Sequence, residues 1–216
     1  MTSTLKATAF QQFIAQSGND YTANAQGIIT SVAPTDVADL LNAGCTFLGS
    51  SMAAFQLNLL DVKLPTGLQL AVAAAAGVFG VAMTAGTSLI LNGEVAQNNT
   101  KTDVGVINFR LPDSYQAGED LTVTLNANIV IGSGTAGTKT IDLSAYEVAA
   151  GAAGADLVTT AAQNLTNSAA DYAFTVTGDS LLPGDLVQLK FTVALQETVN
   201  SPINAKISSI TVAQAA

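Results

Sequence analysis

From about Phe55 to the C-terminus, apolar and polar side chains alternate with a period of two. In DLTVTLNANIVI, Leu121, Val123, Leu125, Ile129 and Ile131 share one face, and Thr122, Thr124, Asn126 and Asn128 share the other. DLVQLKFTVALQ sets Val187, Leu189, Phe191, Val193 and Leu195 against Gln188, Lys190, Thr192 and Gln196. Ile107, Phe109 and Leu111 oppose Asn108 and Arg110, and Tyr172, Phe174 and Val176 form another such set. Each run reads as a strand with one buried face. FQLNLLDV, SLILNGEV, TIDLSAYEV and KISSITV are further strand candidates, with turn clusters such as GSGTAG and LLPGD between them. Strands at this spacing, with no long helical period among them, predict a mainly β domain over residues 51–216. The expected form is an antiparallel β-sandwich, jelly-roll-like, in which AGEDLTVTLNANI and PGDLVQLKFTVAL are related hairpins.

Residues 1–50 read differently. Phe10, Phe13 and Ile14 stand at i, i+3 and i+4, which predicts a short helix starting near Thr8. Tyr21-Thr22 and Ile28-Ile29-Thr30 flank ANAQG, a hairpin pattern with Gly27 in the tight position. In APTDVADLLNAGC, Pro34 suits a first helical turn and Asp36 complements the positive end of the helix dipole. Val37, Leu40 and Leu41 give that helix an apolar face, and Gly44 stops it. The expectation is a small α+β module, helix–hairpin–helix, that docks onto the large domain or onto a partner.

Composition narrows the chemistry. Hydrophobic residues make up 49% and charged residues only 11%, roughly half the charge of an average soluble domain. The net charge is −9, and the seven basic residues Lys6, Lys63, Lys101, Arg110, Lys139, Lys190 and Lys206 form no cluster. Nucleic acid and anionic membrane surfaces, which need several cations on one face, are therefore not expected partners. The longest polar-free run, Leu70 to Met83, is too short for a membrane helix and carries two glycines. No basic-then-apolar leader pattern opens the sequence.

Cys45 is the lone cysteine and there is no histidine, so neither a disulfide nor a Cys–His or Ser–His pair can form within the chain. Cys45 reads as a buried structural thiol. The sixteen acidic residues could still supply a glycosidase pair, which needs two carboxyl groups about 5–10 Å apart across a cleft. Asp113, Glu119, Asp120, Asp179 and Asp185 are the local candidates. Each also fits a turn, where a short carboxylate accepts backbone amides. No metal-loop or phosphate-cradle pattern is present, so no metal, cofactor or catalytic residue is expected.

Three stretches carry a resemblance. FRLPDSYQAGEDLTVTLNANI supplies an F-x-L-P-x-x-Y-x-A-G corner through Phe109, Leu111, Pro112, Tyr115, Ala117 and Gly118. GADLVTTAAQNL (Gly154 to Leu165) and LLPGDLVQL (within it Leu182 to Leu189) supply the other two. Together they resemble a family of tailed-bacteriophage head-associated proteins, over roughly Leu57 to Val212. The segment from Asp20 to Cys45 separately resembles a short module of phage head-associated proteins, through Tyr21, Gly27, Asp36, Leu40, Leu41, Gly44 and Cys45. These motifs have no catalytic content. The resemblance implies a virion structural protein on the capsid exterior that decorates or cements the shell by binding the major capsid protein. It also implies a homo-oligomer, a trimer first of all, made in the bacterial cytoplasm. The alternative is a receptor- or glycan-binding module of a phage fibre or tail. The expected partner interface is Phe10, Phe13, Tyr21, Leu40 and Leu41, apolar groups that a fifty-residue module has little room to hide.

Overall fold

The computed structural model describes residues 3–7, 11–24, 28–33, 35–48, 52–72, 77–84, 88–131, 136–198 and 201–215. They form two units: Met1–Ala53 with Pro112–Gln116, and Ala54–Leu111 with Ala117–Ala216.

The first unit contains β1 (Ser3–Lys6), β2 (Gln12–Ile14), β3 (Asp20–Thr22), β4 (Ile28–Val32), α1 (Val37–Asn42) and β5 (Thr46–Leu48). A three-stranded sheet runs β4-β1-β5, and β2 pairs with β3. Its core is Leu5, Phe13, Ala23, Ile29, Val32, Leu40 and Cys45, with Tyr21 packed against it.

The helix–hairpin–helix expectation is corrected here. Residues 12–14 of the expected first helix are strand β2, with Phe13 inward and Ile14 outward; residues 8–10 lie outside the described residues. Three apolar positions cannot separate the two periods, and pairing Phe13 with Tyr21 satisfies this backbone in a sheet. The expected hairpin is also absent, because β3 pairs β2 while β4 pairs β1; Gly27 lies outside the described residues. The second helix forms as expected. The Asp36 carbonyl accepts the first helical bond from the Leu40 amide. Gly44, at φ +93°, lets the Cys45 amide reach back to the Leu40 carbonyl at 3.0 Å, a Schellman ending.

The second unit contains β6 (Phe55–Gln56), β7 (Ala71–Val72), β8 (Gly80–Thr84), β9 (Ser88–Asn92), β10 (Thr100–Arg110) and β11 (Leu121–Ile131). It continues with β12 (Ala136–Ala149), β13 (Ala152–Asp156), β14 (Gln163–Asn164), β15 (Ala170–Val176), β16 (Leu186–Glu197) and β17 (Ile203–Gln214). One sheet has the order β10-β16-β12-β13, with β14 also on β12. The other runs β15-β11-β17-β9-β8-β7, with β6 on β17. The pairs are antiparallel apart from β7 with β8. The predicted alternation holds along the long strands: Val187, Leu189, Phe191, Val193 and Leu195 are buried, as are Leu121, Val123, Leu125 and Ile129. The two inner faces meet as a β-sandwich. Phe191 of β16 lies edge-on to Phe79 at 6.4 Å, and Phe109 of β10 meets Phe55 at 5.7 Å.

The related-hairpin expectation is corrected as well. β10 and β11 are not paired, nor are β15 and β16; each of these long strands is followed by one in the opposite sheet. Alternation fixes which face of a strand is buried and leaves its neighbours open. FQLNLLDV is strand only at Phe55–Gln56, then a 3₁₀ turn over Leu59–Asp61.

Candidate functional site

Of the five expected interface residues, Phe13, Tyr21 and Leu40 are described, and they belong to or pack against the core of the first unit. Phe13 is 8% and Leu40 1% exposed. Phe10 and the side chain of Leu41 lie outside the described residues. Tyr21 is half-buried, and its hydroxyl donates to Asp36 Oδ2 at 2.7 Å while accepting the Ala33 amide at 3.1 Å. Asn19 Nδ2 donates to the same Oδ2 at 2.8 Å, and Thr35 Oγ1 to Oδ1 at 3.0 Å. The Asn19 bond first, then the Tyr21 bond, hold the Asp36 carboxyl at about 2, against the opposing effect of burial. Asp36 is thus a clasp between helix α1 and the β2–β3 hairpin. Burial pushes the Cys45 thiol up, the reverse of what a nucleophile needs.

The sign of the Asp36 linkage sets a prediction. Its folded pKa lies below the ordinary value, so its contribution is complete above about pH 4 and is lost as pH falls toward 2. Asp36→Ala should therefore loosen the first unit at neutral pH. Hydrogen-exchange protection factors, corrected for the intrinsic rate at each pH, should fall over residues 35–45 to the values the wild type shows near pH 2. Unchanged protection in the variant would remove the clasp.

Two of the five candidate acids, Asp120 and Asp185, serve the backbone. Asp185 Oδ2 accepts the Leu182 amide at 2.7 Å, and Asp120 Oδ1 accepts the Gly178 amide at 2.9 Å. The two similar sequence segments meet in space: the Leu111 amide donates to the Asp185 carbonyl, the Gly184 amide to the Leu111 carbonyl, and the Gly118 amide to the Leu181 carbonyl. Gly118 and Gly184 both take positive φ, +83° and +87°, as those turns require. Among the described residues no group of three or more His, Cys, Asp or Glu side chains could hold a metal ion. No helix among them is long and apolar enough to cross a membrane.

Two acids do break the core pattern of the sandwich. Asp103 shares the inward phase of Gly105, Ile107 and Phe109 and is 4% exposed. Its Oδ2 accepts the Glu94 amide at 2.9 Å, and Glu94 pairs with Lys101 at 2.6 Å. Burial raises the Asp103 carboxyl to about 6. Glu197, the inward residue that ends β16, is 1% exposed and accepts the Asn98 amide at 2.8 Å. Both were legible as charged residues in an otherwise apolar phase.

The outer face of the β10-β16-β12 sheet carries a depression. It has a volume of about 460 Å³, its floor is Val106, Asn108 and Gln188, and its wall is the segment from Asp61 to Gln69. The wall is fixed to the edge of β10 by reciprocal backbone bonds between Lys63 and Val106, 2.8 and 2.9 Å. It is closed by a turn in which Gly67 has φ +82°. Gln188 Nε2 donates to Asn108 Oδ1 at 3.1 Å. Register places Tyr146 of β12 directly opposite Gln188, continuing the same row. Sequence reasoning missed this row because its members are ordinary polar-phase residues far apart along the chain.

The fold and these sites define a two-unit β protein with a polar groove on one sheet face. No family model and no curated protein matches the sequence. Among solved structures, the xylan-binding domain CBM22-1 of Paenibacillus barcinonensis Xyn10C is similar over 78% of this chain and 90% of that domain, with 14% identity and a TM-score of 0.36.

Proposed function

We propose that this chain is a non-catalytic virion structural protein that decorates or cements the exterior of a bacteriophage capsid by binding the major capsid protein. The observation that carries the reading is what the phage-like motif residues do in the fold. Phe109 and Leu111 fill the core, Gly118 turns the chain, and Asp185 ties down the Leu182 amide. These motif residues serve as joints of the sandwich, which suits a protein whose work is to be a shaped surface.

The first unit supplies an anchor in this reading. Ile14 is 76% exposed beside a depression of about 260 Å³ bordered by Gln12, Phe13, Ala15, Asp39, Leu40 and Ala43. In this reading the interface is Ile14 together with the depression that Phe13 and Leu40 help to line. Assembly as a homo-oligomer, a trimer first of all, would present several such anchors to the shell at once.

Quantitative mass spectrometry of purified particles, with imaging of the intact capsid, tests this. The protein should occur in a fixed ratio to the capsid protein and sit on the outer surface. Ile14→Asp should weaken rebinding to stripped particles at least tenfold, about 1.4 kcal/mol, with the sandwich intact. Absence of the protein from purified particles would end the reading.

A further inference from the structure

We propose that the groove on the outer face of the β10-β16-β12 sheet binds a neutral oligosaccharide, with Tyr146 as stacking platform and Gln188 and Asn108 as hydroxyl readers. The inference is independent of the capsid reading. A particle-bound protein with no sugar affinity sinks only this proposal, and a sugar-binding protein absent from particles sinks only the other.

The chemistry follows from the row. Tyr146, Gln188 and Asn108 are direct cross-strand neighbours on three adjacent strands. The row therefore spans about 10 Å, two steps of strand spacing and the length of about two sugar rings. Tyr146 stands one strand beyond the groove's lining, opposite Gln188 and half-buried; a tyrosine there combines an apolar ring with a polar tip, the combination that suits the C–H face of a pyranose. The Gln188 and Asn108 side chains each carry donor and acceptor atoms, the combination that vicinal hydroxyls pair with. Their mutual bond at 3.1 Å orients both amides before a ligand arrives.

Charge selects a neutral ligand. The groove's lining holds one acid, Asp61, and one base, Lys63, and so has no net charge, and the protein as a whole carries −9, which disfavours anionic polymers. The wall is held by the Lys63–Val106 backbone pair and the turn at Gly67, so the groove exists without induced folding. Leu64 and Pro65, which line the wall, give further apolar surface for a ring lying along the groove.

The test titrates the full chain with maltohexaose, cellohexaose and laminarihexaose, followed by amide chemical-shift perturbation and calorimetry. At least one should bind, with shifts centred on residues 61–69, 106–108, 146 and 188. Tyr146→Ala should weaken that binding at least tenfold, and Gln188→Ala several-fold. Tyr146→Trp should hold or tighten it, which keeps the proposal testable if the alanine variant does not fold. Thr124→Ala, on the outer face of the opposite sheet, should change nothing. No binding of any of the three up to about 10 mM, or binding indifferent to both Tyr146 and Gln188, would overturn the proposal.

Discussion

Gly105→Ala is expected to destabilise the sandwich by about 2–4 kcal/mol, a cost at or above the usual range for overpacking. Gly105 sits inside β10 directly opposite Phe191 on β16. A Cβ built on it would lie 2.1 Å from Phe191 Cζ and 2.7 Å from both Cε atoms. The ring has nowhere to retreat: Phe191 is fully buried and meets Phe79 edge-on at 6.4 Å. An interior glycine ordinarily costs a strand stability relative to alanine. Here it is required, because the phenyl ring occupies the volume of the missing side chain. Urea unfolding should show the loss. Phe191→Leu in the Gly105→Ala background should recover part of it, so the two changes are non-additive. If Gly105→Ala is neutral or stabilising, the close approach is not real.

The same strand shows how far the sequence could be read. The inward phase of β10 was legible at Ile107, Phe109 and Leu111, since period-two alternation reports burial directly. Its partner was not. β10 pairs over eleven residues with β16, from Thr100 opposite Gln196 to Arg110 opposite Leu186. Nothing local in either strand encodes that choice, because strand pairing is decided by the whole set of competing strands.

The N-terminal unit shows the converse. Gly44 and the apolar spacing of Val37, Leu40 and Leu41 identified α1 because helix signals are local. Phe10, Phe13 and Ile14 mimicked the same spacing over too few residues, and long-range pairing determined the outcome. The clasp on Asp36 joins residues 17 positions apart, Asn19 and Asp36. The groove row joins three strands. Both depend on tertiary contacts that alternation cannot report. Asp103 was readable in principle, as the one carboxylate in the inward phase of β10.

Asp103→Asn is expected to raise stability at neutral pH and to flatten its dependence between pH 4 and 6. The carboxyl is buried, and burial is the largest influence on it, lifting it from 3.8 to about 6. The Glu94 amide and Lys101 favour the charged form and only partly offset this, while the Glu94 carboxylate opposes it. There is no slack around the group either: a Cβ at Gly93 would stand 2.7 Å from Asp103 Oδ2. A folded pKa above the unfolded value means that the native state holds the extra proton between the two. The stabilisation is complete below about pH 4 and is lost as pH rises through 6. A shift of this size corresponds to about 2–3 kcal/mol, or very roughly 4–10 °C in Tm for a chain of this length. Asparagine keeps an oxygen for the Glu94 amide and carries no charge into the core. The variant's Tm should exceed that of the wild type at pH 8 and converge with it near pH 4. Asp36, held at about 2, titrates below this window and leaves the comparison clean. Equal Tm differences at pH 4 and pH 8 would mean that Asp103 ionises as readily in the folded chain as in the unfolded one.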